Sequence, residues 1–180
     1  MRVIAGEKKG RKLNSPKGDL IRPTPDKVKG AIFNIVSAQI EDAVVLDLFA
    51  GSGALGIEAL SRGAGKVIYG DFDKSSISLV KKNLEHVDYT DKAQLIFGDF
   101  KEVLNEIKDK IDVVLLDPPY YKGFYDEVLE SLGDSTILNP DAIIIVERDT
   151  WNGIPDEVGK LHKSDTRKYG KTSIDIFKLK

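Results

Sequence analysis

Residues 44–56, Val-Val-Leu-Asp-Leu-Phe-Ala-Gly-Ser-Gly-Ala-Leu-Gly, carry the strongest indication of the architecture. The first six are nearly all apolar, which predicts a strand covered on both faces of a sheet. The remainder matches G-x-G-x-x-G, a tight turn that opens a helix and lets a ligand approach the backbone at the helix N-terminus. Together they predict an α/β fold with a nucleotide-type ligand at the carboxyl edge of the sheet.

The same alternation of buried strand and amphipathic helix continues along the chain. Further strands are predicted at 66–69, 94–97, 111–116 and 142–146, and helices over 77–87, 100–107 and 124–132. Strand–helix–strand repetition implies parallel pairing through right-handed crossovers, and therefore an open sheet with helices on both faces. The glycine-containing stretch 169–172 predicts the turn of a closing antiparallel hairpin.

The N-terminal part of the chain has a different pattern. Residues 2–4 and 11–13 flank two glycines and predict a hairpin arm outside the main sheet. Thr24 followed by Pro25 predicts an N-cap with proline at the first helical position. No linker divides the chain, so we predict a single domain over 1–180, with 1–22 as a basic hairpin extension and 23–180 as the core.

Composition and charge restrict the partners. The absence of cysteine from the 180 residues excludes disulfides, thiolate metal sites and cysteine nucleophiles. Met1 is followed by charged, glycine-rich sequence and no apolar run could span a bilayer, so neither a leader nor a membrane partner is predicted and a cytoplasmic location is expected. The formal charge of −2 divides into +6 for residues 1–30, +5 for 160–180 and −13 between them. Basic ends that meet on one face would bind a polyanion, whereas uneven lysines on a solvated surface are the alternative.

The glycine-rich turn has two functional interpretations. Asp71 lies 20 residues past Gly51, where a carboxylate can accept hydrogen bonds from ribose hydroxyls. A dinucleotide oxidoreductase would place a pyrophosphate on these glycines. A methyltransferase would place the amino-acid part of S-adenosylmethionine there, with Asp47 or nearby backbone meeting its ammonium group. The acidic middle segment favours the cationic ligand.

Asp117-Pro118-Pro119-Tyr120 follows the strongly apolar predicted strand 111–116. Two prolines fix the backbone and leave carbonyl oxygens as acceptors beside the Asp117 carboxylate. These acceptors can hold both hydrogens of a planar exocyclic amine and turn its lone pair toward a methyl group, while Tyr120 stacks on the base. A rigid proline turn is the alternative.

Other polar and aromatic residues receive smaller roles. Asp99 follows a predicted strand and can bind the adenine amine, cap a helix, or both. His86 and His162 have no partner at metal-ligand spacing, so no metal is predicted. Trp151 is predicted to be a packing residue.

Several segments together resemble the class I S-adenosylmethionine-dependent methyltransferases, and among them the bacterial 16S ribosomal RNA guanine-N2 methyltransferases of the small-subunit methyltransferase D type. The segments that carry this resemblance are 2–6, 22–34, 46–56, 58–64, 117–120 and 169–172. The resemblance implies a seven-stranded, mostly parallel, Rossmann-like sheet in the order 3-2-1-4-5-7-6, its last strand antiparallel. It also implies methylation of one guanine exocyclic amine in small-subunit rRNA, free or in a 30S assembly particle, by a monomer.

The motifs, the charge distribution and the resemblance together give a set of candidate site residues. For the cofactor they are Asp47, Phe49, Ala50, Gly51, Ser52, Gly53, Asp71, Phe72, Asp99, Phe100, Arg22 and Thr24; for catalysis Asp117, Pro118, Pro119 and Tyr120; and for RNA Lys8, Lys9, Arg11, Lys12 and Lys122. Asp71 stands where relatives usually have glutamate, and Asp73, two residues later, is the alternative ribose ligand.

Three other functions stay open at this point. The target amine could belong to a DNA adenine or a protein glutamine, since both present a planar NH2 group. An NAD-binding oxidoreductase would use the same glycine turn. A non-catalytic RNA-binding module would use only the basic ends.

Overall fold

A computed structural model of the chain describes residues 1–16, 24–118 and 124–180. The described helices are α1 Asp26–Ile35, α2 Ala54–Ser61, α3 Lys74–Val87, α4 Phe100–Glu106 and α5 Phe124–Asp134, and a 3-10 turn spans Thr90–Lys92. The described strands are β1 Val44–Leu48, β2 Lys66–Asp71, β3 Ala93–Phe97, β4 Ile111–Leu116, β5 Leu138–Asp149, β6 Glu157–Val158, β7 Leu161–Tyr169 and β8 Thr172–Leu179.

The strands form one sheet in the order β3-β2-β1-β4-β5-β8-β7-β6. The first five pair in parallel, and β8 lies antiparallel between β5 and β7. The predicted fold class and strand order are therefore confirmed. The difference is one additional strand, since the two-residue β6 pairs with the outer edge of β7.

Strand β5 is longer at both ends than its predicted apolar run, 142–146. Antiparallel pairing with β8 continues through Glu147, Arg148 and Asp149, so polar residues beyond the apolar run remain in the sheet. A buried ion pair stabilises this end, because the Arg148 guanidinium donates to both carboxylate oxygens of Asp175 at 2.6 and 3.1 Å.

Apolar side chains cover both faces of the sheet, as predicted. On one face the buried cluster includes residues of α1, α2 and α3 together with Val3 and Leu13 from the N-terminus. On the other face it is built from α4, α5 and the alternate residues of the strands. The first cluster therefore joins the N-terminal segment to the helices beside the glycine-rich turn.

The N-terminal segment forms the predicted hairpin outside the sheet. An antiparallel bridge joins Arg2 to Lys12, and the Leu13 amide donates to the Met1 carbonyl at 3.0 Å. The hairpin packs on α2, where the Glu58 carboxylate accepts from the amides of Ile4 and Ala5 at 2.9 and 3.0 Å. The predicted boundary between residues 22 and 23 lies outside the described residues.

Glu58 is the centre of a buried charge network. Its side chain is fully buried and receives Lys29 Nζ from α1 at 3.2 Å and Arg62 Nε at 2.9 Å. Lys29 Nζ also donates to the Arg2 carbonyl. One carboxylate thus connects the hairpin, α1 and α2.

Two local predictions are wrong. Pro25, not Thr24, occupies the N-cap of α1, and the Thr24 hydroxyl donates instead to Glu147 Oε2 at 3.0 Å, because β5 brings that carboxylate within reach. Trp151 is 85% exposed rather than packed, since it lies in the turn after β5, past the covered part of the sheet.

Candidate active site

Parallel pairing brings three strand ends to one edge of the sheet. Leu48 of β1 is aligned with Gly70 of β2 and with Leu116 of β4. Asp71 and Asp117 each follow one of these aligned residues, so the two carboxylates flank the end of β1. This edge is where open α/β sheets bind ligands.

The glycine-rich turn is held in place by backbone geometry and by Asp71. The Gly51 amide donates to Asp71 Oδ2 at 2.9 Å, and Gly53 caps α2 with a φ of +74° that favours glycine. A Cβ on Gly56 would lie 2.3 Å from the Tyr69 ring, so only glycine lets α2 pack this closely on β2. The turn therefore presents backbone at the crevice between β1 and β2.

Asp47 of β1 binds the backbone at the end of the glycine-rich motif. Its carboxylate is buried, and Oδ2 accepts from the Gly56 amide at 2.9 Å. Burial, the largest cause, and the charge of Asp71 raise the pKa of Asp47 to about 7, although the hydrogen bond from the Gly56 amide lowers it. Its predicted contact with an ammonium group stays a prediction.

The raised pKa of Asp47 makes stability depend on pH in a definite direction. The pKa of Asp47 is about 7 in the folded protein and 3.8 in an unperturbed carboxyl, so between these two pH values the folded state binds more protons than the unfolded state. The free energy of unfolding therefore falls as pH rises through this range. In Asp47→Asn the amide oxygen still accepts from Gly56. Between roughly pH 4 and pH 7, the free energy of unfolding of the wild type should fall by about 4 kcal/mol more than that of this variant.

Urea unfolding at several pH values measures this difference, with Asp91→Asn as the control because Asp91 is exposed. An Asp47→Asn profile parallel to the wild-type profile would contradict the assignment.

An aromatic crevice opens beside the glycine turn. It is lined by Leu48, Phe49, Gly70, Asp71, Phe72, Gly98 and Phe100. Phe72 is 62% exposed at its rim, which suits packing on a flat base. Phe49 adopts a φ of +72°, rare for a non-glycine residue, and its ring contacts Phe124 edge-on at 5.5 Å. Phe124 also contacts Phe100, at 5.6 Å.

The two carboxylates after β2 have different surroundings. Asp73 caps α3, accepting from the Ser75 amide and hydroxyl, and these bonds lower the pKa of its carboxyl. Asp71 is buried against the crevice, and burial raises its pKa although the amides of Gly51 and Asp73 donate to it. The geometry favours Asp71 as the ribose ligand.

Three further predicted cofactor residues, Asp99, Ala50 and Ser52, lie along the same edge. Asp99 caps α4 in a reciprocal capping box with Glu102, so its predicted capping role is confirmed and its adenine contact stays a prediction. The Ala50 amide donates to the Gly70 carbonyl at 3.0 Å. Ser52 is nearly buried, and its hydroxyl lies 3.4 Å from Met1 Sδ.

Asp117 lies in a cluster of acids. The alignment of Leu116 with Val146 places Asp117 beside Glu147. Burial raises the pKa of Asp117 well above its ordinary value, and the nearby charges of Glu147, Asp47 and Asp149 raise it further. Such a carboxyl suits a cationic ligand or a developing positive charge.

Sequence reasoning missed Glu147. It is buried on β5 and accepts from the Thr24 hydroxyl, so it connects the segment before α1 to the acid cluster. The available signal was a carboxylate directly after an apolar run, the same signal that identifies Asp71 and Asp117.

Some predicted site residues cannot be placed in this geometry. Arg22, Pro119, Tyr120 and Lys122 lie outside the described residues, whereas Pro118 is described and buried.

The predicted RNA-binding cations of the hairpin differ in their surroundings. Lys9, Arg11 and Lys12 are exposed. Lys8 is half-buried, 3.2 Å from the Glu7 carboxylate and 5.2 Å from the centre of the Tyr89 ring. The first three are therefore the better candidates for phosphate contacts.

A buried amide joins the hairpin segment to the glycine turn. Asn83 of α3 donates to the carbonyls of Asn14 and Ser52 at 3.1 and 2.9 Å, and its oxygen accepts from Asn14. The basic segment and the candidate cofactor turn therefore share one rigid support.

Within residues 1–16, 24–118 and 124–180, the structure holds no group of three His, Asp or Glu side chains placed to bind a metal. None of the helices described above is long and apolar enough to cross a membrane.

The strand order and the glycine-rich turn at this edge are those of the class I methyltransferase fold. A family model described as "Conserved hypothetical protein 95" matches residues 1–178, and the chain belongs to this family. It is 39% identical over 181 residues to "Putative rRNA methyltransferase YlbH" of Bacillus subtilis, covering 99% of this chain and 98% of that protein.

Two further relatives support this placement. "Ribosomal RNA small subunit methyltransferase D" of Escherichia coli is 36% identical over 155 residues, covering 86% of this chain and 78% of that protein. The solved structure "Putative methyltransferase yhhF from Escherichia coli" is similar with a TM-score of 0.89 and 30% identity, covering 100% of this chain and 98% of that one. The resemblance found in the sequence is confirmed.

Proposed function

We propose that this protein transfers a methyl group from S-adenosyl-L-methionine to the exocyclic N2 amine of a guanine in small-subunit ribosomal RNA. The observation that carries the proposal is the position of Asp117, one residue past β4 and beside the glycine-rich turn, within a cluster of acids. The relatives named as rRNA methyltransferases support the RNA substrate.

The residues of the crevice fit this cofactor. Asp71, which lines the crevice, would accept hydrogen bonds from ribose hydroxyls, and the exposed Phe72 would pack on adenine. The acidic surroundings of the glycine turn, where burial and the charge of Asp71 raise the pKa of Asp47, suit a ligand with ammonium and sulfonium charges better than a pyrophosphate. When bound, the cofactor supplies an electrophilic methyl group.

Asp117 and the carbonyl of Pro118 would then hold the target amine. Each accepts one N–H, which fixes the nitrogen with its lone pair directed at the methyl group. The Asp117 carboxylate would also stabilise the positive charge that develops on the nitrogen as the nitrogen–carbon bond forms and the sulfur–carbon bond breaks. The sulfonium would leave as a neutral thioether, and the methylated nitrogen would then lose one proton to water. This is catalysis by positioning and electrostatics rather than by a strong base.

Incubation with radiolabelled cofactor tests the substrate. We expect label in under-methylated small subunits or their rRNA, and none in DNA or in protein containing accessible glutamine. Mass spectrometry of the labelled RNA then identifies the base, which should be a guanine methylated at N2. Label in DNA adenine or glutamine, or binding of NADH in place of the methyl donor, would overturn the proposal.

The exposed hairpin cations give a separate prediction. Replacing Lys9, Arg11 and Lys12 by alanine should weaken rRNA binding and lower its salt-dependence slope by about two to three, because each phosphate contact releases counterions. Filter binding at several salt concentrations measures the slope. Cofactor affinity should not change, and Lys81→Ala/Lys82→Ala on exposed α3 is the matched control. An unchanged slope would show that the hairpin does not contact RNA.

A further inference from the structure

We propose that the turn after β5, carrying Trp151, together with Lys168 and Lys171 of the neighbouring hairpin, is a stacking platform for single-stranded RNA next to the target base. A single exposed aromatic side chain is common on protein surfaces and carries no argument alone. Here three further features accompany it: a rigid turn, unpaired cations and proximity to Asp117. That the ligand is RNA rests on the proposed function.

The backbone of this turn is fixed on both sides. The Thr150 amide donates to the Lys171 carbonyl at 2.9 Å, and the Asn152 amide donates to the Asp149 carbonyl at 3.0 Å. Arg148, held by its buried pair with Asp175, also donates to the Asp149 carbonyl at 3.1 Å. A backbone so constrained loses little conformational freedom when a base stacks on the side chain that it carries.

The cations beside the tryptophan are available to a phosphate. Lys168 and Lys171 are exposed, and among the described residues no acidic side chain pairs with either of them. Arg167, in contrast, already pairs with Asp165 at 3.1 Å. An exposed aromatic flanked by unpaired cations has the chemistry of a site that stacks a base and neutralises its backbone.

The platform lies on the same edge of the sheet as the acid cluster. Trp151 is four residues beyond Glu147, so the chain between their Cα atoms spans at most about 14 Å. Glu147 in turn is the neighbour of Asp117. A base stacked on Trp151 would therefore belong to a nucleotide close to the one whose amine Asp117 holds, and stacking there would help to extrude and align the target.

The protein carries a single tryptophan beside six tyrosines, so emission excited at wavelengths that tyrosine does not absorb reports on this position alone. Titration with a short single-stranded oligoribonucleotide of 16S sequence should quench the emission and protect it from acrylamide. In a parallel titration of labelled RNA, Trp151→Ala should bind about tenfold more weakly and Trp151→Phe nearly as well as the wild type. Lys171→Ala should lower the salt slope by about 0.7.

Lys178→Ala is the matched control, because Lys178 is an exposed lysine at the opposite end of β8 and has no acidic partner among the described residues. RNA binding by this variant should equal that of the wild type. Unchanged emission with RNA bound at saturation would overturn the platform. If small subunits protected the Trp151 emission from acrylamide but free RNA did not, the platform would also be overturned, because the turn would then contact a ribosomal protein. Quenching in a protein that methylates no rRNA would uphold the platform and reject only the proposed function.

Discussion

Replacing Asp117 by alanine should lower the rate of methyl transfer to rRNA by about 100- to 1000-fold, the usual cost of removing one preorganised group that stabilises transition-state charge. The variant loses both the acceptor for one amine hydrogen and the negative charge beside the nitrogen. Affinity for the cofactor should stay nearly unchanged, because Asp71 and the glycine turn, which are expected to bind it, are intact. Single-turnover rates and calorimetric titration measure the two effects separately.

The same residue gives the reaction a pH dependence. Burial and the neighbouring acids raise the pKa of Asp117, so its charge is lost as pH falls through a range well above that of an ordinary aspartate. Activity should decline over that range. Asp141→Ala is the control, since Asp141 is an exposed carboxylate near the other end of β5. Retained activity in Asp117→Ala would remove the role assigned to this carboxylate.

Replacing Glu58 by alanine should cost about 3–5 kcal/mol in the free energy of unfolding, the typical effect of removing one partner from a buried ion pair. Lys29 would keep its charge in the interior with only a carbonyl as partner, and the amides of Ile4 and Ala5 would lose their acceptor. Urea unfolding measures the loss.

Glu85→Ala on the exposed side of α3 is the matched control and should change stability by less than about 0.5 kcal/mol. The double variant Lys29→Met/Glu58→Leu separates charge from packing, because replacing both partners by apolar residues often restores stability. A small effect of Glu58→Ala would show that water reaches this network.

The sequence predicted the sheet well because its buried parallel strands are continuous apolar runs with helical periodicity between them. Hence β1, β4 and α3 lie close to their predicted positions. The ends of β5 were not predictable in the same way. Its last three residues are charged, and only pairing with β8 and the Arg148–Asp175 ion pair keeps them in the sheet.

The sequence predicted the positions of candidate site residues where a local pattern sufficed. The glycines and the positions of Asp71 and Asp117 follow from strand-end spacing, and the structure places them at one edge. Contacts between distant segments had no such signal. The bond from Thr24 to Glu147 joins residues 123 positions apart, and Thr24 followed by proline is a normal capping sequence. The prediction that Trp151 is a packing residue was wrong, because an apolar side chain does not by itself show whether other residues cover the turn after β5.

The position of β8 bears on how the chain is made. This strand lies between β5 and β7, yet the ribosome synthesises it after both of them. Until β8 emerges, the edge of β5 has unpaired amides and carbonyls beside strongly apolar side chains, the arrangement that promotes aggregation. A nascent or prematurely terminated chain that stops before Thr172 therefore exposes the middle of its own sheet, and its solubility depends on completing those last residues or on a chaperone.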